Sequence, residues 1–451
     1  MAHKVPDDFS GQLVCAPWFY RQWMLAGNPA NFFDEIIRNF GDFVYYRGVF
    51  NFYLINHPAL VKQILQETNK SFDKHNVIYD RFRTAFGNGL VVAEGEHWKR
   101  QRKLMQPMFV PSAVKQFVGV MVSSASSLVE RWESKSSSQT VFDIASDMNH
   151  LTLEIAGRAL FHDGFSEAAE KISHWTATIN QYCAKPPLPI IRSPWFPSRR
   201  NRKLKATMRA LNEFLSEMIA KRRGTSIEND LLSILLAATH EGTNQRMTDV
   251  EIMEEVLGMI IGGHETSSSA LTWTWYEIDQ NKDVQARLFN EIDEVLGGRT
   301  LTLEDIPKLR FTKMIIEESL RLHPPFWFEN RNVASDVLLG GVLIPKGSII
   351  AFSRYSLHRH ANFWVDPNRF DPQRFEPGNE ENTRASCAQV PFGGGPRICI
   401  GINFAMLELI AIIAVVSQRY RVVVDSSHRH ATATQLTMTP RFGVKVRLES
   451  R

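Results

Sequence analysis

The chain has 451 residues, 44% hydrophobic and 22% charged, which is apolar enough to build a large core and excludes a disordered or collagen-like polymer. Its 52 Lys and Arg against 48 Asp and Glu leave a net charge of +4, too small for a wholesale nucleic-acid binder, so any basic patch is local. The four cysteines, Cys15, Cys183, Cys387 and Cys399, form neither a C-x-x-C pair nor a zinc spacing, which excludes a disulfide framework and points to a reducing, cytoplasmic setting.

Along residues 1–27, charge and proline interrupt every apolar run before it reaches the roughly 20 residues of a membrane span, and no signal-peptide core is present. No membrane anchor is expected. Residues 42–56, DFVYYRGVFNFYLIN, are aromatic and β-branched around Arg47-Gly48 and predict a hairpin. Helix signals then dominate: PALVKQILQET after His57, a loop over Ser71 to Glu96, and HWKRQRKLMQPMF. Five prolines between Ala184 and Pro197 forbid a helix there and predict a stiff connector, followed by a basic helix from Arg199 to Arg223. Thr248 and Glu251 have capping-box spacing and open an apolar segment that, as a helix of about nine turns, has to run through the interior. From Phe326 onward the chain turns to short β-like runs, then an apolar helix near FAMLELIAIIAVVSQRY and a terminal strand pair. The pattern predicts a mostly α fold with a smaller β part (α+β), in one domain over 1–451, β-rich near 42–56 and 330–352.

The chemistry concentrates in Phe392-Gly-Gly-Gly-Pro-Arg-Ile-Cys399-Ile-Gly401, just ahead of the last helix. Its glycines permit close approach and positive φ, and Pro396 stiffens the chain before a single cysteine. A phosphate loop does not fit, because the lysine of G-x-x-x-x-G-K-[ST] and the third glycine of G-x-G-x-x-G are absent. Near a helix N-terminus Cys399 favours the thiolate, as a metal ligand requires; taken alone, a buried and inert cysteine is the commoner outcome.

Residues 392–401 match F-G-x-G-x-R-x-C-x-G and resemble the haem-binding loop of the cytochrome P450 family. The resemblance implies haem b lying between the long central helix and the cysteine loop, its iron held by Cys399, with Phe392 packed near the sulfur and Arg397 facing a propionate. Three more segments resemble the family. Glu318-Ser-Leu-Arg321 is similar to its E-x-x-R, an i,i+3 pair on one helical face, and with Arg374 of Asp371-Pro-Gln-Arg-Phe it forms a candidate buried triad. Gly262-Gly-His-Glu265-Thr266-Ser267 is similar to its oxygen-activation segment, which implies that Glu265 and Thr266 deliver protons; local widening of the helix around Thr266 is also expected, and close helix crossing at the glycines is the alternative. Trp98-Lys-Arg-Gln-Arg102 is similar to its W-x-x-x-R, which implies that Trp98, Arg102 and, in ENRNVASD, Arg331 meet the propionates. His264 is left as a structural residue.

The resemblance thus implies a monooxygenase acting on a hydrophobic small molecule and O2, monomeric, and fed by a separate ferredoxin or flavodoxin type partner that docks near Lys99, Arg100 and Lys103. It places pocket walls at Ser71 to Glu96, at Ala184 to Pro197, before Gly262, at Phe326-Trp327-Phe328 and near Leu436 to Thr439. A haem-thiolate sensor without turnover is the alternative.

Overall fold

A computed structural model describes residues 14–15, 28–47, 50–162, 165, 168–184, 198–223, 230–239, 246–379, 387–429 and 431–451. The predicted connector from Ala184 to Pro197 and the turn at Gly48 lie, apart from Ala184 itself, outside them. The longer helices are α1 (Pro29–Phe40), α2 (Val77–Phe86), α3 (Gly95–Met105), α4 (Val118–Ser137), α5 (Ile144–Phe161), α6 (Ala169–Ala184), α7 (Arg199–Arg223), α8 (Asp249–Gln280), α9 (Lys282–Leu296), α10 (Arg310–Leu322) and α11 (Ile402–Ser417). The chain divides into two compact units, Met1–Asp80 with Glu317–Cys399 and Thr432–Met438, and Arg81–Ile316 with Ile400–Ala431 and Thr439–Arg451.

In the first unit, the 42–56 hairpin forms as expected: Phe43–Arg47 pairs antiparallel with Asn51–Ile55, Tyr45 opposite Tyr53. It extends into a six-stranded sheet in the order Val14–Cys15, Phe43–Arg47, Asn51–Ile55, Ile349–Ser353, Phe328–Val333, Phe72–Asp73. Because side chains alternate along a strand, the sheet buries both faces. Phe43, Ile55, Phe352 and Val333 join one core, while Val44, Leu54 and Ala351 pack with Phe33 and Ile36 of α1 in another. Trp327 belongs to that second core, its indole N–H donating to the Gln435 carbonyl at 2.9 Å, and Phe328 stacks on Phe33 at 5.2 Å. Core packing therefore accounts for these two aromatics. A hairpin joins Val337–Leu339 to Val342–Ile344 through Gly340 and Gly341, whose φ of 54° and 79° suit the tight turn that favours glycine at both central positions.

The second unit is mainly helical. α8 has the 32 residues expected of it and begins at the capping box: the Thr248 amide donates to Glu251 Oε2 at 2.9 Å and the Glu251 amide to Thr248 Oγ1 at 3.3 Å. Most of its length is buried. α11 is apolar on nearly every face, as a helix buried all round must be. A three-stranded sheet of Tyr420–Val424, Lys445–Ser450 and Phe142–Asp143 completes the unit. Among the described residues no single helix is long and apolar enough to cross a membrane.

One expectation is corrected. Ser71 to Glu96 is not a loop throughout: Phe72–Asp73 is a strand and Val77–Phe86 is helix α2. Asn76 starts that helix by accepting the amides of Ile78 and Tyr79 at 3.0 and 3.1 Å, a side-chain cap of the ordinary Asn kind.

Candidate active site

The cysteine loop is shaped by its glycines. Gly393 and Gly395 have φ of 76° and 64°, and a Cβ on Gly395 would run into the Leu65 carbonyl, so only glycine fits there. The Cys399 amide donates to the Phe392 carbonyl at 2.9 Å and the Ile398 amide to Gly395 at 3.1 Å, closing the loop on itself. The result presents Cys399 exposed, three residues ahead of α11, with Phe392 and Arg397 half-buried beside it in the same loop. Cys183 is the opposite case, buried with its thiol pushed up to about 12 by desolvation. Among the described residues no three His, Cys, Asp or Glu side chains stand together to hold a metal ion. A single exposed sulfur on a rigid loop suits an iron whose other ligands come mostly from a macrocycle, so the donor set fits haem.

A buried polar framework braces this loop within the first unit. The expected triad forms: Arg321 Nε and Nη2 meet Glu318 Oε2 and Oε1 at 2.6 and 2.7 Å, and Arg374 Nε lies 3.4 Å from Glu318 Oε1. Arg321 also donates to the carbonyls of His358 and Pro367 at 2.8 and 2.7 Å. His358 continues the path, its Nδ1 3.1 Å from the Arg321 carbonyl and its Nε2 accepting the Val390 amide at 2.9 Å. Val390 in turn accepts from the Gly393 amide at 2.9 Å and from Arg354 Nε at 2.8 Å. A run of hydrogen bonds thus connects Glu318 to the cysteine loop.

Arg331 sits on strand Phe328–Val333, buried and ion-paired with Glu329, which also pairs with Arg354. Its Nη1 donates to Tyr79 Oη at 3.2 Å. Burial pushes the Glu329 carboxyl up, but Arg331, Arg354 and Lys74 outweigh burial and hold it at about 2. One carboxylate between two guanidiniums leaves a net positive site, which suits a guest carboxylate. Sequence reasoning found Arg331 but missed Glu329, Arg354 and His358; none belongs to a spaced motif, and only tertiary folding joins them.

In the second unit, Trp98 and Arg102 lie one turn apart on α3, both half-buried, so they share a helical face. Arg102 Nε donates to Gln106 Oε1 at 3.3 Å. Glu265 and Thr266 are half-buried on α8. The Asn180 amide of α6 donates to Glu265 Oε1, and the Thr266 hydroxyl to the Gly262 carbonyl at 2.6 Å. The helix around them is continuous rather than widened, because that i to i−4 bond is satisfied inside regular α geometry. The two glycines differ: a Cβ on Gly263 would meet Ala156 Cβ of α5 at 3.7 Å, whereas one on Gly262 would meet nothing within 4 Å. Gly263 serves a helix crossing and Gly262 leaves open space beside Thr266. His264 is fully buried, with Nδ1 2.6 Å from the Ile260 carbonyl, and desolvation lowers it to about 4. It is a neutral, structural histidine.

The cytochrome P450 family model matches residues 13–446. The chain belongs to the cytochrome P450 family. It is 34% identical to cyclooctat-9-en-7-ol 5-monooxygenase of Streptomyces melanosporofaciens, over 84% of this chain and 82% of that protein. It is 33% identical to pentalenene oxygenase of Streptomyces avermitilis, over 89% of each. Among solved structures, the haem domain of cytochrome P450DA superposes with a TM-score of 0.86 at 25% identity, covering 97% of this chain and 98% of that one. This P450 therefore has the α+β fold that its sequence implied, and family membership supports oxidoreductase chemistry of the monooxygenase kind.

Proposed function

We propose that this P450 is a haem-thiolate monooxygenase that inserts one oxygen atom of O2 into a hydrophobic organic molecule, with electrons from a separate ferredoxin or flavodoxin type protein. The observation that carries the reading is the exposed Cys399 at the end of a loop in which Gly395 admits no side chain. When bound there, haem supplies the oxidising power; the protein supplies the rest. Cys399 would hold the iron as thiolate, and Trp98, Arg102, Arg331 and Arg397 are the residues that would hold the two propionates. Asn180 fixes Glu265 Oε1. Thr266 commits its own hydroxyl proton to Gly262, so its oxygen acts as an acceptor that holds a proton donor in the open space beside Gly262. The relatives' names, an alkenol monooxygenase and pentalenene oxygenase, favour a hydrocarbon-rich alkene or alcohol as substrate.

Lys99, Arg100 and Lys103 on α3 give the electron donor a basic face, although Lys99 is shared with Glu96 at 2.6 Å and Arg100 with His97 at 2.9 Å. Reduction by an acidic partner slows as salt rises if this face docks it. The deciding experiment is the absorption spectrum of the reduced, carbon-monoxide-bound protein. A strongly red-shifted Soret band that is lost in Cys399→Ser is expected; an unshifted band in the native protein overturns the reading. Thr266→Ala is expected to lower product formation about 100-fold while reductant is still consumed, measured as product formed per NADPH.

A further inference from the structure

We propose that Glu255, with Glu254 beside it, is a positioning residue that clasps the loop between α2 and α3 to α8 and thereby sets one wall of the substrate pocket; this rests on the reading of that loop as a pocket wall. Glu255 is 1% exposed, and both its oxygens accept the Leu90 amide, at 3.1 and 3.0 Å. A buried carboxyl group spent on one backbone amide of another segment is an expensive way to hold a loop unless the loop's position matters. Around it the backbone is fitted closely. Gly87 has φ of 70° and a Cβ there would run into the Glu254 side chain; a Cβ on Gly89 would stand 2.8 Å from the Glu254 carbonyl oxygen. Leu90, Val92 and Ala93 are buried as a result.

The ends of the loop are held by other groups. His97 Nε2 lies 3.1 Å from the Asn88 carbonyl and Arg83 Nη2 donates to the Val92 carbonyl at 3.2 Å. Arg100 lies 3.9 Å from Glu251. The charged groups facing the clasp are thus Glu251 and Glu254 on α8, His97 and Arg100 on α3, and Arg83 on α2. The carboxylate clasp and the two glycines it requires set where the loop sits, and the loop leads directly into the helix that carries Trp98 and Arg102.

The clasp also senses pH. Desolvation pushes Glu255 up to about 7 against the opposing Leu90 N–H, and Glu254 and Glu251 add to the rise. On an opened loop it returns to the ordinary value of 4.5, so opening releases a proton. The closed loop is therefore firmest below 4.5, loosens as pH rises from there toward 7, and changes no further above it.

Hydrogen–deuterium exchange of the segment 87–93 in the haem-loaded protein tests this, with rates corrected for intrinsic pH dependence. Glu255→Leu is expected to speed exchange at Leu90 about tenfold, as loss of a buried hydrogen bond predicts. Glu255→Gln, whose amide oxygen still accepts the Leu90 N–H, is expected to restore slow exchange and to abolish the rise between pH 5 and 7. Equal exchange in native protein and Glu255→Leu, or equal pH slopes in native protein and Glu255→Gln, overturns the clasp; the second comparison stands even if Glu255→Leu does not fold. Binding of a hydrophobic ligand, read as a Soret shift, is expected to weaken with the loosened loop. Faster exchange with unchanged ligand affinity overturns the pocket-wall reading and leaves the clasp standing.

Discussion

In the first unit, Glu318 and Glu329 are buried against guanidiniums, Arg321 and Arg374 for one, Arg331 and Arg354 for the other. In the second unit, Glu255 and Glu408 are buried with no such cation among the described residues, and desolvation pushes them up to about 7 and about 8. The same residue type thus serves two ends. Beside the cysteine loop, guanidiniums hold Glu329 ionised and, at Glu318, oppose a rise that burial still imposes, and both carboxyls become rigid nodes tied to the arginines around them. On α8 and α11, the carboxyls are kept near neutrality, where a modest change of pH alters their charge. A framework that braces the cysteine loop calls for the first arrangement, and the helices of the second unit tolerate the second.

The sharpest way to break this contrast is to remove one member of the triad. Glu318→Gln or Arg321→Ala leaves an unpaired buried charge and is expected to lower stability by about 3 to 5 kcal/mol, measured by urea unfolding. Arg321→Lys is expected not to rescue, because an ammonium cannot reproduce the two-pronged contact with Glu318 and the carbonyl bonds at once. If Arg321→Ala unfolds like the native protein, the framework does not brace the loop.

Glu329 and His264 sharpen the comparison through acid. Glu329 is held at about 2 against an ordinary 4.5, so its contribution, about 3 kcal/mol, is complete above 4.5 and disappears as pH falls from 4.5 to about 2. Glu329→Gln is expected to be less stable than the native protein at neutral pH and to converge on it over that window. His264 is lowered from 6.5 to about 4, so its contribution is complete above 6.5 and is lost, by up to about 3 kcal/mol, as pH falls toward 4. Stability curves of His264→Gln should be flatter than native between those values. A native curve with no slope there would show that His264 takes up no proton on unfolding.

How much of this was legible in the sequence follows from how local each feature is. The capping box fixed the start of α8 because Thr248 and Glu251 are neighbours in the chain, and the 392–401 loop was readable because its glycines and cysteine are contiguous. The pair Glu318 and Arg321 lies one helical turn apart, and its link to Arg374 was reached only through the family resemblance. Glu329, Arg354 and His358 carried no signal, since their partners are distant in sequence and are brought together by the sheet. Helix α2 was missed for a different reason. Its cap, Asn76, stands within a polar stretch, and the Gly87-Asn-Gly89 run that follows reads as loop. Gly262 and Gly263 look alike in sequence, and only the neighbouring Ala156 separates a crossing contact from an open space.

The comparison is also tested at Glu408, on α11, fully buried and without a hydrogen bond to either oxygen among the described residues. Desolvation raises it to about 8, with the Ser267 hydroxyl opposing. A raised carboxyl contributes stability that is complete below the ordinary 4.5 and is lost as pH rises through 8. Glu408→Gln removes the charge but adds buried amide hydrogens that need acceptors, at about 1 kcal/mol. At pH 4, where the carboxyl is largely neutral in folded and unfolded protein alike, the variant is expected to be the less stable protein by about that amount. At pH 8 the native protein bears the full strain of an ionising buried acid, and the order reverses. The crossing of the two stability curves between those values, followed by urea unfolding, distinguishes a carboxyl kept neutral by its surroundings from one with an ionic partner. Parallel curves would place Glu408 with Glu318 and Glu329, and the division between the two regions would fail at its weakest point.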